Sequence, residues 1–241
     1  MRVAVEAMMN GKNYLTLAGG VQTIADPTTA GKTAEWTPTG WTREAIAGKN
    51  YHSLVVEKPL DDEQGTGVAD AERAMLQYDG GKHTPDATTK SVNVGKIGWS
   101  VEKLKQYDGT TGEGRHSYVL DHAVTKGDMI TVTLVWDKLV KEKEGDGTDG
   151  DGKVEKNDTY KNINPGADEE SIPNFVLAVQ YDDGTGFHTV ARTAYKLDPV
   201  QHLHFPAPAD GATGKYRIVV TMEVVATAGA AHDYSLAWWT K

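Results

Sequence analysis

The chain has 241 residues, with 34 acids against 25 Lys and Arg, a net charge of -9 and no cysteine. The missing thiols exclude disulfides, thiolate metal sites and a cysteine nucleophile, and an acidic surplus without a compact basic patch argues against binding a phosphate backbone. Hydrophobic residues make up 39% of the chain, enough for a sizeable core, and no apolar run approaches the ~20 residues that span a bilayer.

In chain order, Met1, Ala4, Val5 and Met8 fall on one face of a short helix, with Gly11 and Asn13 as stop signals. These opening residues lack a long apolar stretch followed by a small-residue cleavage site, and do not read as a signal peptide. From Thr16 to Gly48 the chain is rich in Thr, Gly and Pro and keeps no period. That predicts irregular connections, with Trp36 and Trp41 covering apolar surface. Leu54, Val55 and Val56 make a short strand. Gly65 and Gly67 break the chain. Ala71, Ala74, Met75 and Tyr78 then recur at helical spacing, with Asp70 and Glu72 in the first turn and Gly80-Gly81 as the stop. Residues 1–90 read as a helical and loop segment too slight to enclose a core alone.

Beyond residue 90 the period becomes two. Val92, Val94 and Ile97 precede Trp99, and Tyr118 with Leu120 marks a short strand. Ile130, Val132, Leu134 and Trp136 then alternate with Thr131, Thr133 and Val135. Phe175, Leu177, Val179 and Tyr181 repeat the pattern, and the turn Asp182-Asp183-Gly184-Thr185-Gly186 leads to Thr189, Ala191 and Thr193. Leu203 and Phe205 point one way while His202 and His204 point the other, and Pro206 and Pro208 end that strand. Tyr216, Ile218, Val220 and Met222, then Tyr234, Leu236 and Trp238, complete the set. About eight strands separated by turn signals predict a mainly β protein: a jelly-roll β-sandwich over residues 91–241, with a small N-terminal helical and loop appendage. Between the strands, residues 141–158 hold seven acids, four glycines and no aromatic residue, the composition of a protruding loop.

These pieces, in this order, resemble the C-terminal region of subtilisin-like serine proteases (subtilases) that carry a jelly-roll domain, P-domain-like, after the catalytic domain. MITVTLVWD resembles that family's strand ending in Leu-x-Trp-Asp. NFVLAVQYDDG resembles the next, although Asn174-Phe175 stands where an acid and Leu are usual. DPVQHLHFPAP with GKYRIVV resembles the Pro-terminated strand and the Gly-x-Tyr-x-Ile-x-Val strand, and DYSLAWW the closing strand. Upstream, LDDEQGTGVADAERAM resembles the Gly-x-Gly and Asp-Ala helix that ends the catalytic domain, and RVAVEAMM the helix before it. The catalytic motifs are missing: there is no Asp-Thr/Ser-Gly turn, no His-Gly-Thr-His and no Gly-Thr-Ser. Ser53, Ser91, Ser100, Ser117, Ser171 and Ser235 sit in no nucleophile elbow. The resemblance therefore implies no enzyme but the tail of one: a non-catalytic accessory domain that stabilises or positions a subtilase catalytic domain. It further implies a bacterial, secreted-type protein, extracellular or periplasmic. The alternative is a β-sandwich module binding carbohydrate or protein.

Candidate sites are few. Asp146, Asp149, Asp151, Glu155 and Asp158 offer the oxygens that a structural calcium ion prefers, with glycines for tight wrapping, though Lys153 breaks the EF-hand template. The set reads equally as a solvated loop. His202 and His204 have a spacing that suits zinc or nickel, which would support a metal-dependent hydrolase; a third ligand, His188 or His232, would have to arrive by folding. Two imidazoles on the outer face of a strand is the plainer reading. Gly65-Thr66-Gly67 before Asp70 echoes a dinucleotide fingerprint, but an acid replaces the third glycine and would repel a pyrophosphate. Trp99, Trp136 and Trp238 fall at inward-looking positions and predict core. Trp36, Trp41 and Trp239 are the ones left to form a sugar-stacking platform. Tyr107-Asp108 reads as turn surface.

Overall fold

The computed structural model describes residues 22–25, 33–36, 41–57, 71–105, 107, 113–137, 140–143, 159–162, 174–195, 199–223 and 231–241. Its elements in order are β1 (Gln22–Ala25), β2 (Thr33–Trp36), β3 (Trp41–Ala45), β4 (His52–Val56), α1 (Ala71–Asp79), β5 (Ser91–Val94), β6 (Ile97–Lys105), β7 (Arg115–Leu120) and β8 (Met129–Trp136). There follow β9 (Val140–Lys143), β10 (Thr159–Asn162), β11 (Asn174–Asp182), β12 (Phe187–Thr193), β13 (Val200–Pro206), β14 (Tyr216–Glu223) and β15 (Ala231–Thr240).

The period-two stretches build two sheets. The smaller has the order β13-β8-β15-β6, and the larger β3-β4-β12-β11-β14-β7-β5. Within the set β6, β7, β8, β11, β12, β13, β14 and β15, every neighbouring pair is antiparallel. β15 lies between β6 and β8, and β14 between β7 and β11, so strands distant in sequence interleave. That is a jelly roll, two Greek keys wrapped into a sandwich. Ile130, Val132, Leu134, Leu177, Ile218, Val220 and Leu236 are fully buried between the layers. Each stabilises the fold by roughly 1.5–3 kcal/mol through the apolar area it removes from water. Gly184 (φ 93°) and Gly186 (φ 129°) take the left-handed conformations that the β11–β12 turn requires.

Three differences from the sequence reading have physical reasons. The stretch read as irregular contains β1, β2 and β3. β3 is polar and short, and it becomes a strand only because β4 supplies its partners, with Trp41 opposite Val56 and Arg43 opposite Leu54. β4 in turn pairs in parallel with β12, which ties residues 41–57 into the larger sheet. The helix forms as predicted, but Met75 (70% exposed) and Tyr78 (66%) face out while Gln77 (0%) faces in. α1 packs beside the edge strand β6, where the Gln77 amide donates to Gly98 O and, at 2.8 Å, to Trp238 O. Trp99, expected inside, is only half-buried on the outer face, stacked on Tyr78 at 6.0 Å. Its neighbours Gly98 and Ser100 take the inward positions; a Cβ on Gly98 would overlap the Trp238 ring. The helix read over residues 1–10 lies outside the described residues.

Candidate functional site

Three loops gather at one end of the sandwich: β3–β4, β7–β8 and β13–β14, with the β11–β12 turn beside them. Their junction is locked by acids that are fully used. Asp183 Oδ2 takes the Lys49 ammonium at 2.5 Å and the Tyr51 hydroxyl at 3.0 Å, while its Oδ1 accepts Thr185 N–H at 3.0 Å. Lys49 and then the Thr185 donors hold the Asp183 carboxyl well below the usual carboxylate range. Burial and then this carboxylate push the Tyr51 phenol up to about 12. Asp210 Oδ1 accepts Lys126 N–H at 2.7 Å, and Asp128 Oδ2 accepts Thr125 N–H at 2.8 Å.

Beside this junction the larger sheet extends past the smaller one. β3 and β4 lie beyond β12, whereas β13 is the last strand of the smaller sheet. The overhang leaves a cleft of about 300 Å³ between β3–β4, the end of β13 and the two loops that follow β7 and β13. Leu54, Val190 and Phe205 form its apolar floor; Arg43, His52 and Lys126 stand at its exposed rim. Val190 is the extra residue of a β-bulge, since Val179 pairs with Ala191 and Gln180 with Thr189. Such bulges re-aim a side chain, and here the side chain goes into the floor. Among the described residues, no acid lines the cleft.

No protein-family model matches this chain, and no curated protein matches it. The function therefore has to be read from the residues.

The residues singled out in the sequence are not brought together. Asp146, Asp149, Asp151, Glu155 and Asp158 lie outside the described residues, flanked by the antiparallel pair β9–β10. The Gly65–Asp70 stretch, the Trp36 and Trp41 side chains and Asp108 lie outside them too. Trp136 and Trp238 are core, as expected; Trp239 is half-buried on the outer face, and Tyr107 is exposed. His202 and His204 share the outer face of the smaller sheet, but His202 is buried (1% exposed) rather than standing in solvent. Thr133 Oγ1 contacts His202 Nδ1 at 2.9 Å and Thr131 Oγ1 contacts His204 Nδ1 at 2.8 Å, because β13 pairs in register with β8. Burial, then His204, drives the His202 pKa down to about 3. Among the described residues no three His, Asp or Glu side chains converge on one point, so neither His188 nor His232 completes a metal site. His188 instead sits 3.5 Å from Asp183 in the β11–β12 turn.

A buried polar chain crosses the sandwich where sequence reasoning saw only alternation. Tyr118 donates its hydroxyl to Ser100 Oγ at 2.8 Å. The Tyr118–Tyr234 contact at 2.7 Å then takes the Tyr234 proton. His116 Nδ1 contacts the Tyr234 hydroxyl at 2.7 Å and ends the chain. Burial, then Lys90, lowers the His116 pKa to about 4, so the ring is neutral. This chain joins β7 of one sheet to β6 and β15 of the other. These hydroxyls bond one another inside the core.

Proposed function

We propose that this chain is a non-catalytic accessory jelly-roll domain of the subtilase C-terminal kind, which stabilises or positions a catalytic domain. The observation that carries the reading is the outer face of α1. Met75, Leu76 and Tyr78 are exposed there, on the helix whose sequence resembles the end of a subtilase catalytic domain. A cluster of large apolar side chains left in water marks a surface for another protein. The five motif pieces quoted above add support, since they fall on β8, β11, β13, β14 and β15, strands of both layers. The test mixes the chain with a subtilase catalytic domain that lacks its own jelly roll. Co-elution, or a raised melting temperature of the catalytic domain, is expected, and Met75→Glu with Tyr78→Glu abolishes it. No association, or hydrolysis of casein by the purified chain, would overturn the reading.

A second reading, a binding module for carbohydrate or protein, is favoured by the loop-end cleft. In that reading the sandwich is a rigid support and the ligand meets the loops and the overhanging strands. The two readings use opposite edges of the smaller sheet, β6 for the first and β13 for the second.

A further inference from the structure

The cleft carries a definite chemistry. The protein is strongly acidic, with a net charge of -9, yet the rim presents Arg43, Lys126 and the ionisable His52 with no acid among the lining residues. Of the acids around the neighbouring loops, Asp183 is paired with Lys49 and also bonded by Tyr51 and Thr185, while Asp210 and Asp128 accept the backbone N–H groups of Lys126 and Thr125. Among the described residues, neither the Arg43 guanidinium nor the Lys126 ammonium has an ion-pair partner. Behind them lies an apolar floor shaped in part by the bulged Val190, and Pro206 and Pro208 flank it. Phe205 and Tyr51 are themselves nearly buried, so neither ring offers a broad open face for stacking a sugar.

We propose that the cleft binds a single carboxylate carried on a compact apolar body. The carboxylate sits between Arg43 and Lys126, and the body lies on Leu54, Val190 and Phe205. A guanidinium fork suits a carboxylate's two oxygens, and the volume admits one ring-sized group. Such a ligand is either a free organic acid or the C-terminal residue of a peptide. The inference deepens the binding-module reading and does not depend on the accessory-domain reading.

The test is titration of the whole chain, followed by amide chemical shifts, with phenylacetate, its neutral amide phenylacetamide, and Gly-Gly-Phe with a free or amidated terminus. Arg43 and Lys126 are exposed and outside the core, so Arg43→Gln and Lys126→Gln keep the fold, which unchanged melting checks. Saturable shifts at Leu54, Gly127 and Val190 with phenylacetate or free Gly-Gly-Phe are expected, and which probe binds tighter separates free acid from peptide terminus. Each variant should weaken binding by about fivefold or more, added salt should weaken it further, and the amides should bind about tenfold less tightly or worse. Equal binding of acid and amide, indifference to both substitutions, or no saturable shift at any soluble concentration would overturn the inference. Neutral-oligosaccharide binding that ignores Arg43 and Lys126 would overturn it and leave the binding-module reading standing.

Discussion

The two edges of the smaller sheet solve the same problem in different ways. Both expose backbone groups that have no neighbouring strand to pair with. At β6 the edge is covered by α1 and the turn after it. His83 N–H donates to Trp99 O at 2.8 Å, Trp99 N–H to Gly81 O at 3.0 Å, and the buried Gln77 amide donates to the Gly98 and Trp238 carbonyls. At β13 the hairpin β3–β4 of the other sheet overhangs the edge and leaves a cleft with a cationic rim. The covered edge turns an apolar helix face outward; the open edge turns charge outward. One suits a packed protein partner, the other a small anion.

The largest expected effect belongs to the covered edge. Trp238→Ala removes a fully buried ring that packs on Tyr118 at 5.4 Å and lies against Gly98, and it should cost ~3–5 kcal/mol by urea unfolding. A loss under 1 kcal/mol would mean that the ring is not in the core. Next comes Gln77→Ala. It removes two buried hydrogen bonds and should cost ~1–3 kcal/mol, with faster amide exchange along β6 and none of that change at β13.

Acid should act on the other side of the comparison. His116 and His202 are held neutral with pKa values lowered to about 4 and about 3, whereas in the unfolded chain they titrate near ~6.5. Between those limits the unfolded state binds more protons. Stability is therefore complete above the unfolded value and falls with falling pH, by at most ~1.4 kcal/mol per pH unit for each ring. The pH dependence of urea midpoints between neutral pH and the acid limb measures this; a flat profile would show the rings in water. His202 lies on β13 and His116 bonds Tyr234 of β15, so exchange protection should weaken at both strands as the pH falls. The smallest effect is expected at the cleft rim, where Arg43→Gln and Lys126→Gln should each change stability by no more than ~0.5 kcal/mol.

Much of the sandwich was legible in the chain, and the reason is local. β8, β11, β14 and β15 each bury one face, so Ile130, Leu177, Ile218 and Leu236 advertise the period of two. The phase of β6 was not legible. Gly98 and Ser100 take its inward positions because Trp238 and Tyr118, from other strands, fill the space there. The buried side of α1 was equally hidden, since Gln77 answers to carbonyls that exist only once β6 and β15 are paired. Arg43 and His52 come from one hairpin and Lys126 from a loop far along the chain, none with a motif, and they line one cleft because β4 joins β12. The Asp182-Asp183-Gly184 turn was visible, but its grip on Lys49 and Tyr51 was not, as it links residues 132 and more apart.

The central claim is that the closing strand is threaded between β6 and β8 rather than added to an edge. Backbone NOEs on labelled protein test it most directly. The account predicts cross-strand contacts from Leu236 to both Ser100 and Leu134, and from Trp238 to both Gly98 and Val132. Direct cross-strand contacts between β6 and β8, with β15 paired to only one of them, would contradict it.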